Sequence, residues 1–368
     1  MQLVKSTRDT LLRPLQIVSG IVERRHTMPI LANILIRKQG ETVSFLSTDI
    51  EIQITTSAAI GVGEEAEATT VAARKLLDIL RALPESGDVS LKLENKKLAV
   101  QSGKSRFSLQ TLGAEDFPTV AETEKFDAHV SLPQKTLKHL FHMVHFSMAQ
   151  QDIRYYLNGL LLVLDGNHVI AVATDGHRLA FCQVETEQTF ERMEVIIPRK
   201  TITELSRLLE ENDNPVEISI AANQIKLKFA DLELISKLVE GKFPDFNRVI
   251  PKGYKNHFQI GREELLRSLQ RVAIMTNDKF KGVRCIMSHG SLKIISSNAD
   301  QEEAVEEVEV VYEGDEVDIG FNVSYLLDVL NNLKTEQINV SLGDSNSSAL
   351  ITLPDNPDFK YVVMPMRI

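Results

Sequence analysis

The residues most suggestive of chemistry are Thr174-Asp175-Gly176-His177-Arg178-Leu179, where an aspartate and a histidine lie two positions apart. An Asp–His pair can act as a general base, so a hydrolase built around Asp175 and His177 is one hypothesis. No nucleophile in a recognisable strand–turn–helix setting lies nearby, and Asp-Gly is a strong turn signal. Thr48-Asp49 occurs 126 residues earlier (174 − 48). We therefore interpret Thr-Asp as part of a repeated scaffold, and residues 176–179 as an addition with a functional role.

Two further motifs are weaker. Gly103-Lys104-Ser105 is half of a phosphate-binding loop, but Leu98 stands where the first glycine belongs, so we predict a turn between strands. His139, His142 and His145 have helical spacing, cannot all face one metal, and lack an acid or cysteine to complete a ligand set. We expect no catalytic residue, no metal and no cofactor.

Lysine and arginine recur on the polar faces of the predicted helices, opposite the apolar stripes. If these faces line a ring, they can hold duplex DNA through its phosphates without reading sequence. The alternative is a scaffold that does not bind DNA, with solvated basic helices. The residues concerned are Arg74, Lys75, Arg81, Lys135, Lys138, Arg199, Lys200, Arg207, Arg262, Arg267 and Arg271, with Arg24-Arg25 on a loop.

The elements that carry these residues are repeated three times, about 125 residues apart. One helical stripe begins at Leu12, Leu137 and Leu266, and a second pairs Leu77 with Leu80, Ile202 with Leu205, and Leu327 with Leu330. Each copy is predicted as helix, strands, helix, strands, with Pro14 bending or breaking the first helix. The fold class is α+β with three repeated domains, 1–126, 127–254 and 255–368.

Composition and net charge restrict the class of protein. The 368 residues are 43% hydrophobic and 25% charged, as in soluble globular proteins, and the net charge is −10. That charge alone argues against nucleic-acid binding. It is concentrated, however, in residues 301–318, which contain nine acids and no lysine or arginine. Two distant cysteines, no signal peptide and no apolar run near 20 residues predict a cytoplasmic protein without a membrane segment.

Five runs along the chain resemble, in the correct order, those of the bacterial sliding clamps, the beta subunits of proteobacterial DNA polymerase III. They are Arg154-Tyr155-Tyr156-Leu157-Asn158-Gly159, Ala173-Thr174-Asp175-Gly176-His177-Arg178-Leu179, Lys242-Phe243-Pro244-Asp245, Gly320-Phe321-Asn322-Val323-Ser324-Tyr325 and Tyr361-Val362-Val363-Met364-Pro365-Met366-Arg367.

The resemblance implies a head-to-tail homodimer whose six domains form a ring, with helices inside and sheets outside. Such a ring encircles duplex DNA and gives the polymerase processivity, without catalysis of its own. The implied partners are the polymerase III alpha subunit, the delta subunit of the clamp loader, and other polymerases and repair proteins that carry clamp-binding peptides.

Site residues follow from the resemblance position by position. The implied DNA contacts are Arg25, Arg74, Gln151, Tyr155 and Tyr156. The implied dimer interface joins Phe107 and Leu109 to Ile274 and Met275, with Lys104 and Arg106 near the acids at 302–307. The implied peptide groove consists of Leu157, Thr174, Gly176, His177, Arg178, Leu179, Pro244, Arg248, Val249, Tyr325, Ser348, Val362, Val363, Met364, Pro365, Met366 and Arg367.

Overall fold

The computed structural model describes residues 1–23, 28–85, 87–277 and 279–367. The chain folds into two compact units, one of Met1–Lys135 with Thr203–Leu238 and one of Thr136–Ile202 with Val239–Ile368. The strands of the middle repeat belong partly to each unit, so units and repeats divide the chain differently. The domain boundaries at 126 and 254 stay predictions. None of the described helices is long and apolar enough to cross a membrane.

The described strands, in chain order, are β1 Gln2–Thr7, β2 Asn33–Gln39, β3 Thr42–Thr48, β4 Ile52–Ala59, β5 Glu67–Ala72, β6 Asp88–Glu94, β7 Lys97–Ser102, β8 Ser105–Leu112, β9 Ala128–Pro133, β10 Gly159–Thr174, β11 Arg178–Pro198, β12 Pro215–Ile220, β13 Gln224–Phe229, β14 Leu232–Lys237, β15 Asn256–Gly261, β16 Gly282–Ser288, β17 Ser291–Ser297, β18 Glu303–Glu309, β19 Val317–Asn322, β20 Gln337–Leu342, β21 Ala349–Leu353 and β22 Asn356–Val363.

These strands pair antiparallel in three sheets. The first unit has a twelve-stranded sheet in the order β1-β6-β7-β8-β5-β2-β3-β4-β14-β13-β12-β9. The second unit has a six-stranded sheet, β10-β11-β22-β21-β20-β15, and a four-stranded sheet, β18-β17-β16-β19. The described helices are α1 Arg8–Val18, α2 Ala73–Ala82, α3 Gln134–Val144, α4 Arg199–Leu208, α5 Phe246–Val249, α6 Arg262–Ala273 and α7 Val323–Asn332.

The helices bury the predicted stripes, and the α+β prediction with three repeated domains is confirmed. Leu15, Leu140 and Leu269 are fully buried. Of the two outcomes predicted for Pro14, a bend or a break, the break does not occur, because the helix continues to Val18. Pro14 lacks only the one amide that would bond to the carbonyl four residues earlier. Its ring is buried on the same face as Leu15 and Val18, which compensates for that loss.

Each repeat begins with a strand that the sequence interpretation missed. β1, β9 and β15 precede α1, α3 and α6, and they pair with β6, β12 and β20, respectively. A hydrogen bond also repeats at the end of a helix. Ser47 Oγ donates to the Val18 carbonyl, and Ser296 Oγ donates to the Val272 carbonyl at 2.5 Å. Equivalent positions in the first and third repeats can therefore be matched residue by residue.

The hairpin of β10 and β11 positions most of the candidate site. The apolar pattern of the sequence predicts two separate strands here, at 159–163 and 169–174. The structure joins them in one sixteen-residue strand, with register shifts on either side of Gly166. An irregularity of this kind accommodates the extra residue without ending the ladder. At the turn end of the hairpin, Thr174 lies opposite Leu179, and Leu179 pairs in turn with Val362 of β22.

Candidate functional site

The turn between β10 and β11 is fixed by its own side chains. Thr174 Oγ1 donates to the Arg178 carbonyl at 2.6 Å and accepts from the Gly176 amide at 3.1 Å. Asp175 Oδ1 accepts from the amides of His177 and Arg178 at 2.9 and 3.1 Å. Gly176 has φ +90°, a conformation that favours glycine.

The same turn recurs in the first repeat, which confirms that Thr-Asp belongs to the scaffold. Thr48 Oγ1 donates to the Ile52 carbonyl at 2.8 Å, and Asp49 Oδ1 accepts from the Glu51 and Ile52 amides. Ile50 occupies the place of Gly176, with φ +81°. The turn is therefore common to both repeats, whereas the residue at its tip is not.

Asp175 does not form the pair with His177 that the hydrolase hypothesis requires. The second oxygen of Asp175 accepts from Arg178 Nε at 3.1 Å. The His177 ring instead stacks on Tyr325, with centroids 6.3 Å apart and planes at 16°. This arrangement favours a flat apolar surface for a ligand over a general base.

Arg178 is a buried anchor beneath this surface, with a side chain only 9% exposed. It donates from Nη1 to Asp328 at 2.5 Å and from Nη2 to the Phe146 carbonyl at 2.8 Å. Its guanidinium carbon lies 4.6 Å from the centroid of the Tyr325 ring. Arg178 therefore fixes the position of Tyr325 and does not form part of an exposed arginine rim.

The other implied groove residues lie in the same unit and divide by exposure. Leu157, Leu179 and Val362 belong to one buried apolar cluster with Phe243 and Phe246. β22 ends at Val363, and the Met364 amide then donates to the His177 carbonyl at 2.9 Å. Buried members are Leu157, Thr174, Leu179, Val362 and Val363; members half-buried as whole residues are Arg178, whose side chain is buried, and Tyr325, Ser348, Pro365 and Met366; exposed members are Gly176, His177, Pro244, Arg248, Val249, Met364 and Arg367.

The buried residues would form an apolar floor of the implied groove, and the exposed residues would form its edge. Val249 and Met364 are exposed apolar side chains beside the buried cluster. Arg248, on α5, has a side chain that is 87% exposed, and its Nε forms a surface ion pair with Asp245 at 3.1 Å. A floor of this chemistry suits leucine or phenylalanine anchors, and a methionine edge adapts to different ligands.

The structure describes four of the five implied DNA contacts. Gln151 is exposed with φ +56°, Tyr155 is exposed, and Tyr156 is half-buried with its ring edge-to-face against Tyr155. Arg74 is exposed on α2 in the other unit, where it, Lys75 and Arg81 form no ion pair with any residue that the structure describes. Arg25 lies outside the described residues, as does Arg24.

The arginines predicted on the polar face of α6 are bound to neighbouring groups. Arg262 donates to the carbonyls of Leu330 and Thr335 at 3.0 and 3.1 Å, and so caps α7. Arg267 pairs with Glu263 at 2.9 Å, and Arg271 pairs with Glu306 at 2.6 Å. The acids on and near the helix neutralise its arginines, which helical periodicity alone does not show.

Sequence reasoning also missed Asp152 and Arg154. Arg154 Nε and Nη2 donate to the two carboxylate oxygens of Asp152 at 3.0 and 2.8 Å. These hydrogen bonds and the charge of Arg154 hold the pKa of Asp152 at about 2. The only signal in the sequence is an acid two positions before an arginine, which is common on any surface.

The histidines on α3 and after it bond to main-chain carbonyls. His142 Nε2 donates to Asn332 O at 3.2 Å, and His145 Nδ1 donates to His142 O at 3.0 Å. Burial lowers the pKa of His145 below its ordinary value. No three His, Cys, Asp or Glu side chains converge as a metal site in the part of the chain that the structure describes. Gly103, with φ +54°, lies in the predicted turn between β7 and β8.

The implied interface residues lie on or beside strands with open edges. β8 pairs along its length with β7, but with β5 only through Thr111 and Leu112. β18 is the last strand of its sheet. Phe107 on β8 is 37% exposed, and Ile274, which follows α6, is 75% exposed. An open edge beside exposed apolar side chains is typical of a surface that pairs with another chain.

Three domains of one family match the chain in succession. The N-terminal, central and C-terminal domains of the DNA polymerase III beta subunit match residues 2–121, 131–245 and 247–367. The beta sliding clamp of Pseudomonas aeruginosa is 46% identical over 362 residues, and that of Escherichia coli K12 is 46% identical over 361 residues; each alignment covers 98% of both chains. The crystal structure of the P. aeruginosa beta subunit superimposes with a TM-score of 0.97 at 46% identity, covering 100% of both chains.

Proposed function

The chain belongs to the DNA polymerase III beta subunit family, and from that premise we propose that two copies close into a ring around duplex DNA and hold the polymerase through the groove of the second unit. It is a DNA sliding clamp, which confers processivity on a DNA polymerase. The observation that carries this is the succession of three beta-subunit domains along nearly the whole chain. Tethering raises the effective concentration of polymerase at the primer end without new polymerase–DNA contacts.

Ring closure is supported by a strand pairing that the chain makes twice internally. The last strand of the second repeat, β14, pairs with β4 of the first, and the last strand of the third repeat, β22, pairs with β11 of the second. Among the strands that the structure describes, β8, the last of the first repeat, has no such partner, and β18 is the third-repeat equivalent of β4. We infer that β8 pairs with the partner's β18, a head-to-tail contact that closes after two copies.

The internal pairings also predict the register of this contact. Leu234 lies opposite Ile54, and Tyr361 lies opposite Ala180. Phe107 is the equivalent of Leu234, 127 residues earlier (234 − 107). Ser47 lies opposite Ile54 in its hairpin, and Ser296, its equivalent, lies opposite Ala304. Phe107 should therefore lie opposite the partner's Ala304.

That register brings complementary side chains together. Arg106 would lie opposite the partner's Val305, flanked on the same face by the partner's Glu303 and Glu307. Phe107 and Ile274, both substantially exposed in the single chain, would be covered. Burying each contributes about 1–2 kcal/mol. Glu306 is already paired with Arg271, and Lys104 cannot form a bidentate pair, so Arg106 carries most of the electrostatic attraction.

The DNA contacts follow the same proposal. Arg25 and Arg74 would meet phosphates, and Gln151, Tyr155 and Tyr156 would touch the backbone without reading bases. The direct test is to load the protein on nicked circular DNA and then linearise the circle. A topological ring slides off once ends exist, whereas retention after linearisation would contradict encirclement.

The groove would bind short peptides with leucine or phenylalanine anchors, from the polymerase alpha subunit, the loader delta subunit and other clients. Met364→Glu places a charge where the Met364 side chain lies, 47% exposed beside the apolar floor. We expect at least a tenfold loss of client-peptide affinity with the dimer mass unchanged. Val311→Glu, at an equally apolar but distant exposed position of the same unit, is the matched control and should bind normally.

We further propose that the protein has no catalytic activity or cofactor of its own and acts in the cytoplasm. The stacking of His177 on Tyr325 supports a binding role for His177. His177→Ala should weaken peptide binding and leave DNA retention on closed circles unchanged. Loss of a turnover in that variant would support the hydrolase instead.

A further inference from the structure

We propose that Arg154 is a positioning residue shared by the DNA-contact loop, residues 150–156, and the turn of the peptide groove, so that DNA and client peptide strengthen each other's binding. The inference rests on the proposed function of both surfaces. All of the contacts that support it lie within the second unit.

Arg154 first organises the DNA-contact loop. Its amide and Nε donate to Asp152 Oδ1 at 2.8 and 3.0 Å, and its Nη2 donates to Asp152 Oδ2. Asn158 completes the loop, because its side chain accepts from the Asp152 amide and donates to the Asp152 carbonyl, each at 2.9 Å. Gln151 and Tyr155 therefore lie in a segment to which the guanidinium is bound through Asp152.

The same guanidinium touches the groove turn. Arg154 Nη2 donates to the Asp175 carbonyl at 3.0 Å. A Cβ atom added to Gly176 would lie 2.7 Å from Arg154 Nη1, so the arginine packs directly against the tip of the turn. Glycine at 176 therefore suits both the backbone conformation of the turn and this close neighbour.

The groove turn is also hydrogen-bonded to the edge of the groove. Asp175 accepts from the His177 amide, and the His177 carbonyl accepts from the Met364 amide at 2.9 Å. A continuous series of hydrogen bonds therefore runs from Asp152 through Arg154, Asp175 and His177 to Met364. Both candidate ligand surfaces are attached to it at opposite ends.

This arrangement predicts positive cooperativity. DNA that immobilises Gln151 and Tyr155 also immobilises Arg154 and the turn, so the peptide finds part of its site already ordered. The coupling must be reciprocal, so peptide should tighten DNA binding by the same factor. The Arg154 side chain is 43% exposed, so solvent weakens its hydrogen bonds. We therefore expect the change in Kd to lie at the low end of typical allosteric couplings, about fivefold.

The test measures the Kd of a fluorescent client peptide with and without saturating short duplex DNA. We expect the full-length wild-type protein to bind peptide about fivefold more tightly with DNA. Arg154→Met should abolish this difference, and Asp152→Asn should reduce it, since the carbonyl contact to Asp175 remains. Thermal unfolding of each variant checks that it is folded. If Arg154→Met does not fold, the reduced cooperativity expected of Asp152→Asn still tests the proposal.

Arg192→Met is the matched control. Arg192 is similarly exposed and similarly bound to two carboxylates, Asp165 and Glu194, but it lies on the hairpin away from both loops. It should retain the full cooperativity. Cooperativity that persists in Arg154→Met, is absent from the wild type, or is lost equally in Arg192→Met would overturn the inference. A wild type that binds neither probe would instead overturn the proposed function.

Discussion

The register of the proposed dimer contact can be tested by a single engineered disulfide. Phe107→Cys combined with Ala304→Cys should link two protomers covalently at each contact of the ring. Residues directly opposite in antiparallel strands have Cα atoms about 4.5–5.5 Å apart, within the range of about 4.4–6.8 Å that a disulfide spans. The expected product is a dimer closed by two disulfides.

The geometry also predicts which neighbouring pairs fail. Moving the second cysteine from Ala304 by one residue turns its side chain to the other face of the sheet. Moving it by two residues adds a displacement of about 6.6 Å along the strand, which puts the Cα atoms beyond bridging distance. Phe107→Cys combined with Glu303→Cys, or with Glu302→Cys, therefore provides matched negative controls.

The assay is mild oxidation followed by electrophoresis without reductant. Native thiols should not interfere, because burial raises the pKa of both Cys182 and Cys285 to about 12. A covalent dimer from the 107/304 pair, and not from the controls, supports the contact. Equal linkage in all three pairs, or linkage only at high protein concentration, would show that the register taken from the internal repeats is wrong.

Four further expectations follow from single sites. Arg178→Met should lower the free energy of unfolding by about 3 kcal/mol in urea, because Asp175 and the Phe146 carbonyl lose a buried partner. His145 has a lowered pKa, so its burial destabilises the fold as pH falls below about 6.5, and His145→Gln should flatten stability measured between pH 7.5 and 5. Cys182 and Cys285 should react with a thiol reagent at pH 8 only after denaturation. Ile50→Gly should raise the melting temperature slightly, since a β-branched residue is strained at φ +81°, while Glu51→Gly should lower it.

The sequence predicted the parts of this fold that repeat with a regular period. The helical stripes and the three-fold recurrence follow from apolar spacing, and both are seen in buried Leu140 and Leu269. The initial strands β1, β9 and β15 were missed, because six residues adjoining a helix give little alternation to detect. The long β10 was divided, because the apolar pattern does not show that the ladder continues through a bulge.

The site was predicted as a set of residues but not as a geometry. Resemblance named seventeen groove positions, which all lie in the second unit, yet it could not say that the Arg178 side chain is buried or that Arg154 contacts the turn. Both depend on partners distant in sequence, such as Asp328, 150 positions away from Arg178. Pairing of charges across such distances leaves no pattern in a single chain.

The two internal junctions carry different side chains at equivalent positions. Leu179 lies opposite Val362 at the second junction, and at the first junction their equivalents are Gln53 and Ile235. Gln53 Oε1 accepts from the Val120 amide at 2.9 Å, so the chain's own linker is held against the first junction. At the second junction Leu179 and Val362 instead belong to a buried apolar cluster with Phe243 and Phe246 of the segment that follows. The repeat thus supplies the same paired strands twice, and the segment that follows them is held by a side-chain hydrogen bond at the first junction and by apolar packing at the second.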